Sequence, residues 1–320
     1  MSSTKKAIVF LNMGAPRSLE EVSVFLKNMF NDKNIITVKK DILRKLIATS
    51  IVTTRGKEAR ENYKKLGGFS PLVTQTQRLL ESVQKEFPEH IVINIMRYTP
   101  PFAKKELQWL KAKKIEEITL FPLYPHYSTT TVKSSLEDFY ETCEEIEYHP
   151  KIKEIEPFYT NPDYNRALLE TIKEKICLQR DDLSKIDIIF SAHSLPKKIV
   201  CDGDCYQEQV QRHVKMLTRA LKNADLRFRD YHLAYQSKLG PVAWLEPALG
   251  DKLEEIKANG GERVLIVPIS FVLDNSETEF ELDIEYRMEA KEMLFEEYRV
   301  AKCPNNSPLF IQTVKALVAS

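Results

Sequence analysis

The sequence predicts an α/β protein built as two doubly wound lobes, each around a parallel sheet, with a functional cleft between them. Three observations lead there. First, strand-like segments of the first half have counterparts in the second. KKAIVFLNMG (5–14) matches KIDIIFSAHS (185–194), and HIVINIMRYTPP (90–101) matches YHLAYQSKLGP (231–241). IEEITLFPLYPHYS (115–128) matches GERVLIVPISFVLD (261–274), with Pro122 and Pro268 in corresponding places. Second, the segments between the later strands, FAKKELQWLKAKK and WLEPALGDKLEEIKANG, carry apolar residues at helical spacing. Third, every strand leaves on polar residues, SAHS, RYTP, YQSK, YPHYS and FVLDN.

Each element follows from the same logic. Short apolar runs bounded by turn residues suit strands buried on both faces, and alternation with helices gives the βαβ order of a parallel sheet. Right-handed crossovers then set helices on both sides of each sheet, giving a Rossmann-like lobe. Ligands of such sheets bind beyond the carboxyl ends of the strands, where all the polar exits lie. The boundary falls near residue 160, within EPFYTNPDYN, dividing an amino-terminal lobe (1–160) from a carboxy-terminal lobe (161–320).

Composition narrows the class. The 320 residues are 43% hydrophobic and 29% charged with a net charge of +1, so nucleic acid or acidic lipid is not expected as the main partner. No uninterrupted apolar run approaches the ~20 residues of a membrane span. Spanning is therefore excluded, whereas loose peripheral contact with a membrane is compatible. The first apolar stretch is short, contains Asn12 and reads as a strand rather than a signal peptide. Five dispersed cysteines, Cys143, Cys177, Cys201, Cys205 and Cys303, fit a reduced, cytoplasmic protein. Cys201 and Cys205 lie close in CDGDCY, but no second pair completes a zinc site. Phosphate-binding glycine patterns are lacking: GAPRS and LGGFSP are turns, so neither a dinucleotide nor ATP is implied.

Two segments carry the chemistry. In IIFSAHSLP (188–196) a strand ends on His193 among small residues, which leaves room for a ligand or a general base; a hydrogen-bonded core histidine is the alternative. In FVLDNSETEFELDIEYRMEAKEM, from Phe271, a helix capped by Asp274 or Ser276 places Glu277, Glu281 and Glu285 at i, i+4 and i+8. A winding wider than the α-helix straightens that row. Stacked carboxylates cost a few tenths of a kcal/mol per pair. They suit a solvated helix or, beside an imidazole, a borderline divalent cation such as iron, cobalt, nickel or zinc.

At these residues the chain resembles the ferrochelatase family, enzymes that insert ferrous iron into a porphyrin to end haem synthesis. The resemblance runs through LNMGAP, GGFSPL (67–72), MRYTPP (96–101), LYPHYSTTT (123–131), FSAHSLP (190–196), GDCY (203–206), YQSKLGPVAWLEP (235–247) and FVLDNSETEFELDIEY (271–286). It implies a chelatase-like fold of two α/β lobes, with the porphyrin in the cleft. It also implies that His193 and Glu277 act as a pair, binding metal and accepting the two pyrrole protons, with Glu281 and Glu285 as a path for iron or protons. By the same resemblance Met13, Tyr98, Tyr124 and Trp244 line the macrocycle, while Arg55, Ser70 and Arg97 hold the propionates. VSVFLKNMF (22–30) matches the apolar lip of the pocket. Each has a plainer reading: Met13, Tyr124, Phe25, Met29 and Phe30 as core, Arg55 as a surface charge.

The chain departs from the family pattern in three places. The usual D-H-I-E-T segment reads Asp274-Asn275-Ser276-Glu277-Thr278, without its histidine; a glycine is Ser194; and the proline of GDPY is Cys205. Some relatives hold an iron–sulfur cluster on clustered carboxy-terminal cysteines. Here only Cys303 lies in that region, so no cluster and no permanently bound cofactor is expected, iron being a substrate. Protoporphyrin is the expected macrocycle, with coproporphyrin as the variant. The rival readings are a sirohydrochlorin-type chelatase, whose members tend to use two histidines, and a non-catalytic haem or porphyrin carrier. No oligomer interface is legible.

Overall fold

The computed structural model describes residues 5–320 apart from Leu178 and Leu239, so Leu239 of the YQSKLGP segment lies outside the described residues. The chain forms two compact units, residues 1–156 with 314–320, and residues 157–313.

The first unit holds β1 (Lys6–Asn12), β2 (His90–Met96), β3 (Glu117–Pro122) and β4 (Lys151–Glu154), all parallel, in the order β2-β1-β3-β4. The second holds β5 (Ile186–His193), β6 (Asp230–Gln236), β7 (Arg263–Pro268) and β8 (Glu297–Val300), also parallel, in the order β6-β5-β7-β8. The repeat read from the sequence is therefore a repeat of topology. It extends to register: Leu11 pairs with Pro122, and Ser191 pairs with Pro268. Proline is tolerated there because the ladder ends and its missing N–H is not called upon. Superposing the two registers makes Met13 the counterpart of His193, and Arg97 that of Gln236.

Both sheets are covered by helices whose apolar faces fill the core. In the first unit Leu107 and Leu110, from helix Ala103–Ala112, and Phe139, from helix Ser134–Glu145, pack on Val9, Leu11 and Leu120. In the second, Leu249, Leu253 and Ile256 of helix Leu249–Ala258 pack on Ile189, Ala234 and Ile266. Each such side chain contributes ~1.5–3 kcal/mol by leaving water. Helix starts follow the local chemistry. Asn161 accepts from the N–H groups of Asp163 (2.9 Å) and Tyr164 (3.1 Å), and Pro162 follows at the first helical position.

The two units share a further irregularity. Beyond β3 lies a π-helical turn, Thr129–Lys133, and beyond β7 a longer π-helix, Glu277–Glu285, each running on into an α-helix. Such wide turns are rare and gather at functional sites. The lip segment is helix Glu21–Phe30, with Phe25 and Phe30 buried and Met29 half-buried. It packs on a 25-residue helix, Asp41–Lys65, of which only Ala48 and Tyr63 are buried. Among the described residues no helix is long and apolar enough to cross a membrane.

Candidate active site

In the second unit the strand order turns at β5, so the exits of β5 and β7 flank a topological switch point, the place where doubly wound sheets bind ligands. His193 is the last residue of β5. Its backbone N–H donates to Ser270 Oγ (3.1 Å), and its carbonyl accepts from the Tyr206 hydroxyl (2.9 Å), which also meets Ser270 Oγ at 2.7 Å. The ring is thus carried on a doubly anchored backbone, with its edge or face against Phe271 at 83° between planes.

Glu277, first residue of the π-helix, brings Oε2 to 2.7 Å from His193 Nδ1. The His193 side chain keeps 37% of its surface exposed and that of Glu277 24%. A neutral imidazole bonded this way carries its proton on Nδ1 and leaves the Nε2 lone pair as base or metal ligand. Nε2 has no hydrogen-bond partner among the described residues. Desolvation works against the imidazolium, but the charge and hydrogen bond of Glu277, with the charge of Glu281 behind it, raise the His193 pKa above its ordinary value. The Glu277 carboxyl is pushed up by desolvation and drawn down by His193, Ser237 and Gln236; the net direction is down.

Glu281 lies one wide turn on. Desolvation and the neighbouring Glu277 charge push its carboxyl up to about 7, against the hydrogen bonds of Ser237. Both glutamates meet the residues that end β6: Gln236 Nε2 is 3.5 Å from each, and the Ser237 hydroxyl is 3.0 Å from Glu277 Oε2 and also bonded to Glu281. Glu277 and Glu281 therefore share the same partners at the end of β6. Glu285, the last π-helical residue, is half-buried and adds its charge beside Tyr286. The helix start differs from expectation: neither Asp274 nor Ser276 caps Glu277. Asn275 Oδ1 accepts from the N–H of Glu277 at 2.7 Å, and Asn275 N–H donates to Thr278 Oγ1 at 2.9 Å. The residue standing where the family has histidine is a helix cap. Asp274, fully buried, instead accepts from Cys303 N–H (2.9 Å) and Asn305 Nδ2 (2.8 Å).

Trp244 is half-buried and forms an antiparallel bridge with Pro196, flanked by Lys197 N–H to Ala243 carbonyl (2.8 Å) and Leu245 N–H to Leu195 carbonyl (2.9 Å). This two-rung ladder ties it to the residues just after His193.

The remaining candidates lie in the first unit. Met13 follows β1, half-buried; its N–H donates to Asn12 Oδ1 (2.7 Å) and its carbonyl accepts from Tyr98 N–H (2.9 Å). Arg97 follows β2 with 26% of its side chain exposed, between two acids: 3.2 Å to Asp32, 3.3 Å to Asp138, and Nε to Ser134 Oγ at 3.0 Å. Tyr98 is 1% exposed and donates its hydroxyl to Asp32 (2.9 Å). Tyr124 is buried with its hydroxyl 3.3 Å from Ser135. Ser70 is fully buried and caps helix Pro71–Glu86 through Leu72 N–H (3.3 Å). Arg55 is exposed on helix Asp41–Lys65. Sequence reasoning did not single out Gln236, Ser237, Ser270 or Tyr206. Gln236 and Ser237 carried a signal, as polar residues on a strand exit, but nothing marked which of them would reach the glutamates.

Fold and site together define an α/β protein of the chelatase fold with an imidazole–carboxylate centre. Among solved structures, SirB from Bacillus subtilis with Fe3+ superposes with a TM-score of 0.59 at 11% identity, covering 98% of this chain and 96% of that one. The sirohydrochlorin chelatase SirB from B. subtilis subspecies spizizenii with cobalt gives 0.58 at 12%, covering 98% and 94%. At such identities the likeness is one of fold. The chain belongs to the ferrochelatase family: the family model "Ferrochelatase" matches residues 5–320. Proteins named ferrochelatase from Nitratiruptor sp. and Sulfurimonas denitrificans are 53% and 51% identical over 309 and 316 residues, covering 97% and 98% of each chain. One from Wolinella succinogenes is 43% identical over 315 residues, covering 98% of each chain. The protein is a metal–porphyrin chelatase, a lyase that inserts ferrous iron into a porphyrin in haem synthesis.

Proposed function

We propose that the porphyrin is protoporphyrin IX and that His193 and Glu277 are the pair through which iron enters and protons leave. The observation that carries this reading is the 2.7 Å contact between His193 Nδ1 and Glu277 Oε2, which fixes the tautomer and turns the Nε2 lone pair outward. A neutral Nε2 accepts a pyrrole proton or coordinates Fe²⁺ as it sheds water; the carboxylate stabilises the imidazolium that forms. The pair is assigned jointly, because strongly interacting groups titrate together. Glu281, one turn deeper, is the next acceptor on the path, followed by Glu285. Met13, Tyr124 and Trp244 are assigned to the macrocycle, and Arg55 and Arg97 to its carboxylates. Tyr98 and Ser70, buried and bonded to Asp32 and to a helix N-terminus, support their own elements instead of the contacts the resemblance implies. Two arginines in that set suit the two propionates of protoporphyrin better than the four of coproporphyrin.

No resident cofactor is proposed. Cys303 is buried, and burial together with Asp274 holds its thiol far above the usual range, which disfavours the thiolate a cluster needs. The protein is assigned to the cytoplasm with loose contact to a membrane surface. That contact is drawn from helix Asp41–Lys65, where Ile42, Leu43 and Leu46 are 77%, 46% and 63% exposed beside exposed Lys39, Lys40 and Lys45.

The test is anaerobic absorbance of the purified protein with protoporphyrin IX and Fe²⁺, run beside His193→Ala and with coproporphyrin III as the competing substrate. Free-porphyrin bands give way to the haem spectrum in the wild type, and the substitution slows this at least ~100-fold, as expected for loss of a general base. Tight porphyrin binding without insertion of Fe²⁺, Zn²⁺ or Co²⁺ would overturn the assignment.

A further inference from the structure

We propose that Ser237 is a positioning residue whose hydroxyl holds the carboxylates of Glu277 and Glu281 in the arrangement that iron insertion uses; this rests on the role given above to His193 and Glu277.

The backbone makes the case. Ser237 follows β6 directly and has φ +66°, the left-handed region that a serine occupies only at a cost. It is held there from the preceding residue. Gln236 is fully buried, its Oε1 accepts from Ser191 Oγ at 2.6 Å, and its carbonyl accepts from Ser194 N–H at 2.8 Å. In this conformation the Ser237 N–H donates to Glu281 Oε1 at 2.7 Å. The hydroxyl then sits between the two Oε2 atoms, 3.0 Å from that of Glu277 and bonded to that of Glu281. One side chain and its own amide thus tie both glutamates to the strand that lies beside His193 in the sheet, where His193 pairs with Gln236.

A turn that needed only this backbone would be served best by glycine, which adopts positive φ without the Cβ penalty. Gly240, three residues on, does so at φ +68°. Ser237 keeps a side chain where glycine would relax the chain, and among the described residues its hydroxyl bonds to the two glutamates. The hydroxyl is what the strained position secures. Since it carries one proton, it donates to one carboxylate at a time; the Ser237 N–H holds Glu281 at Oε1, which frees the hydroxyl to donate to Glu277.

The experiment compares wild-type protein with Ser237→Gly, Ser237→Ala and Ser237→Thr. Heat denaturation, porphyrin binding by fluorescence quenching, and steady-state Fe²⁺ insertion into protoporphyrin IX are measured on each. Ser237→Gly removes both the strain and the hydroxyl, whose effects on stability oppose each other, so its melting temperature stays within a few degrees (~3 °C) of the wild type while kcat falls about tenfold. Its KM for porphyrin stays within about twofold, because the macrocycle contacts are untouched. Ser237→Ala shows the same loss of kcat with the strain retained, and Ser237→Thr, which keeps a hydroxyl, recovers most of it. Wild-type kcat in Ser237→Gly overturns the inference outright. So does a loss of kcat in the glycine variant that comes only with lowered stability and porphyrin affinity. Should Ser237→Thr fail to fold, the glycine variant decides alone. Failure of the wild type to insert iron would instead refute the proposed function, and the two failures are distinguished by that control.

Discussion

His193 and Glu281 show how position sets protonation. The Glu277 contact raises the His193 pKa, so the acid limb of the pH–rate profile should lie above the ~6.5 of an ordinary histidine. Turnover falls as pH drops through it, because the imidazole must be neutral. Histidine proton resonances followed from pH 5 to 9 test this: the His193 signal titrates above 6.5 in the wild type and moves down in Glu277→Gln, where desolvation is left unopposed. Glu281 is shifted upward too, but by desolvation and a like charge rather than by an attractive partner. Its folded-state pKa of about 7 exceeds the ordinary 4.5, so between those values the folded chain holds a proton that the unfolded chain has lost. Stability from this group therefore falls as pH rises from ~4.5 to ~7 and stays low above. Glu281→Gln should stabilise the protein at pH 8 by no more than about 3 kcal/mol and leave it nearly unchanged at pH 5. Urea denaturation at the two pH values measures it, and equal effects at both would contradict the assignment of Glu281 as a destabilised carboxylate.

The element that decides the site is the π-helix Glu277–Glu285. Its approximate place was legible, since Glu277, Glu281 and Glu285 recur at i+4 and Asp274 to Thr278 are rich in capping residues. Which residue caps it was not legible. Aspartate, asparagine and serine side chains can all accept from a backbone N–H, and propensity ranks the three level. Tertiary contacts chose among them: Asp274 is occupied by Cys303 and Asn305, from a loop some thirty residues on, which leaves Asn275 for the helix. Asn275→Ala removes that cap and should cost about 1 kcal/mol, while Asn275→Asp, an equal cap, should cost less than half of that. Chemical denaturation of both variants checks the difference. The Ser237 clamp was hidden for a related reason. A serine at positive φ leaves no mark in a sequence, whereas a glycine would have announced the turn.

For the whole molecule, the sequence carried the architecture because the architecture is repeated. Two halves with matching strand patterns yielded two parallel sheets with the same strand order, and the aligned prolines Pro122 and Pro268 end the ladder at equivalent places. Side-chain partners were less accessible: Tyr98 and Ser70 are spent on Asp32 and a helix cap, contacts that depend on residues 66 positions away in one case and two in the other. Charge is the other property that belongs to the whole chain. A net charge of +1 gives no long-range attraction to an anionic surface, so any membrane contact must be local. Helix Asp41–Lys65 offers that locality, with three exposed apolar side chains beside Lys39, Lys40 and Lys45. Each lysine near an anionic surface contributes about 1 kcal/mol, and the apolar side chains add their buried area. Co-sedimentation with vesicles containing a third phosphatidylserine should therefore exceed that with neutral vesicles and weaken about tenfold when ionic strength rises from 0.05 to 0.5 M, where screening shortens the interaction. Ile42→Ser combined with Leu46→Ser should lower binding further at either salt concentration while leaving iron insertion into detergent-dispersed porphyrin intact. Equal partitioning of wild type and variant at low salt would remove this helix as the point of contact.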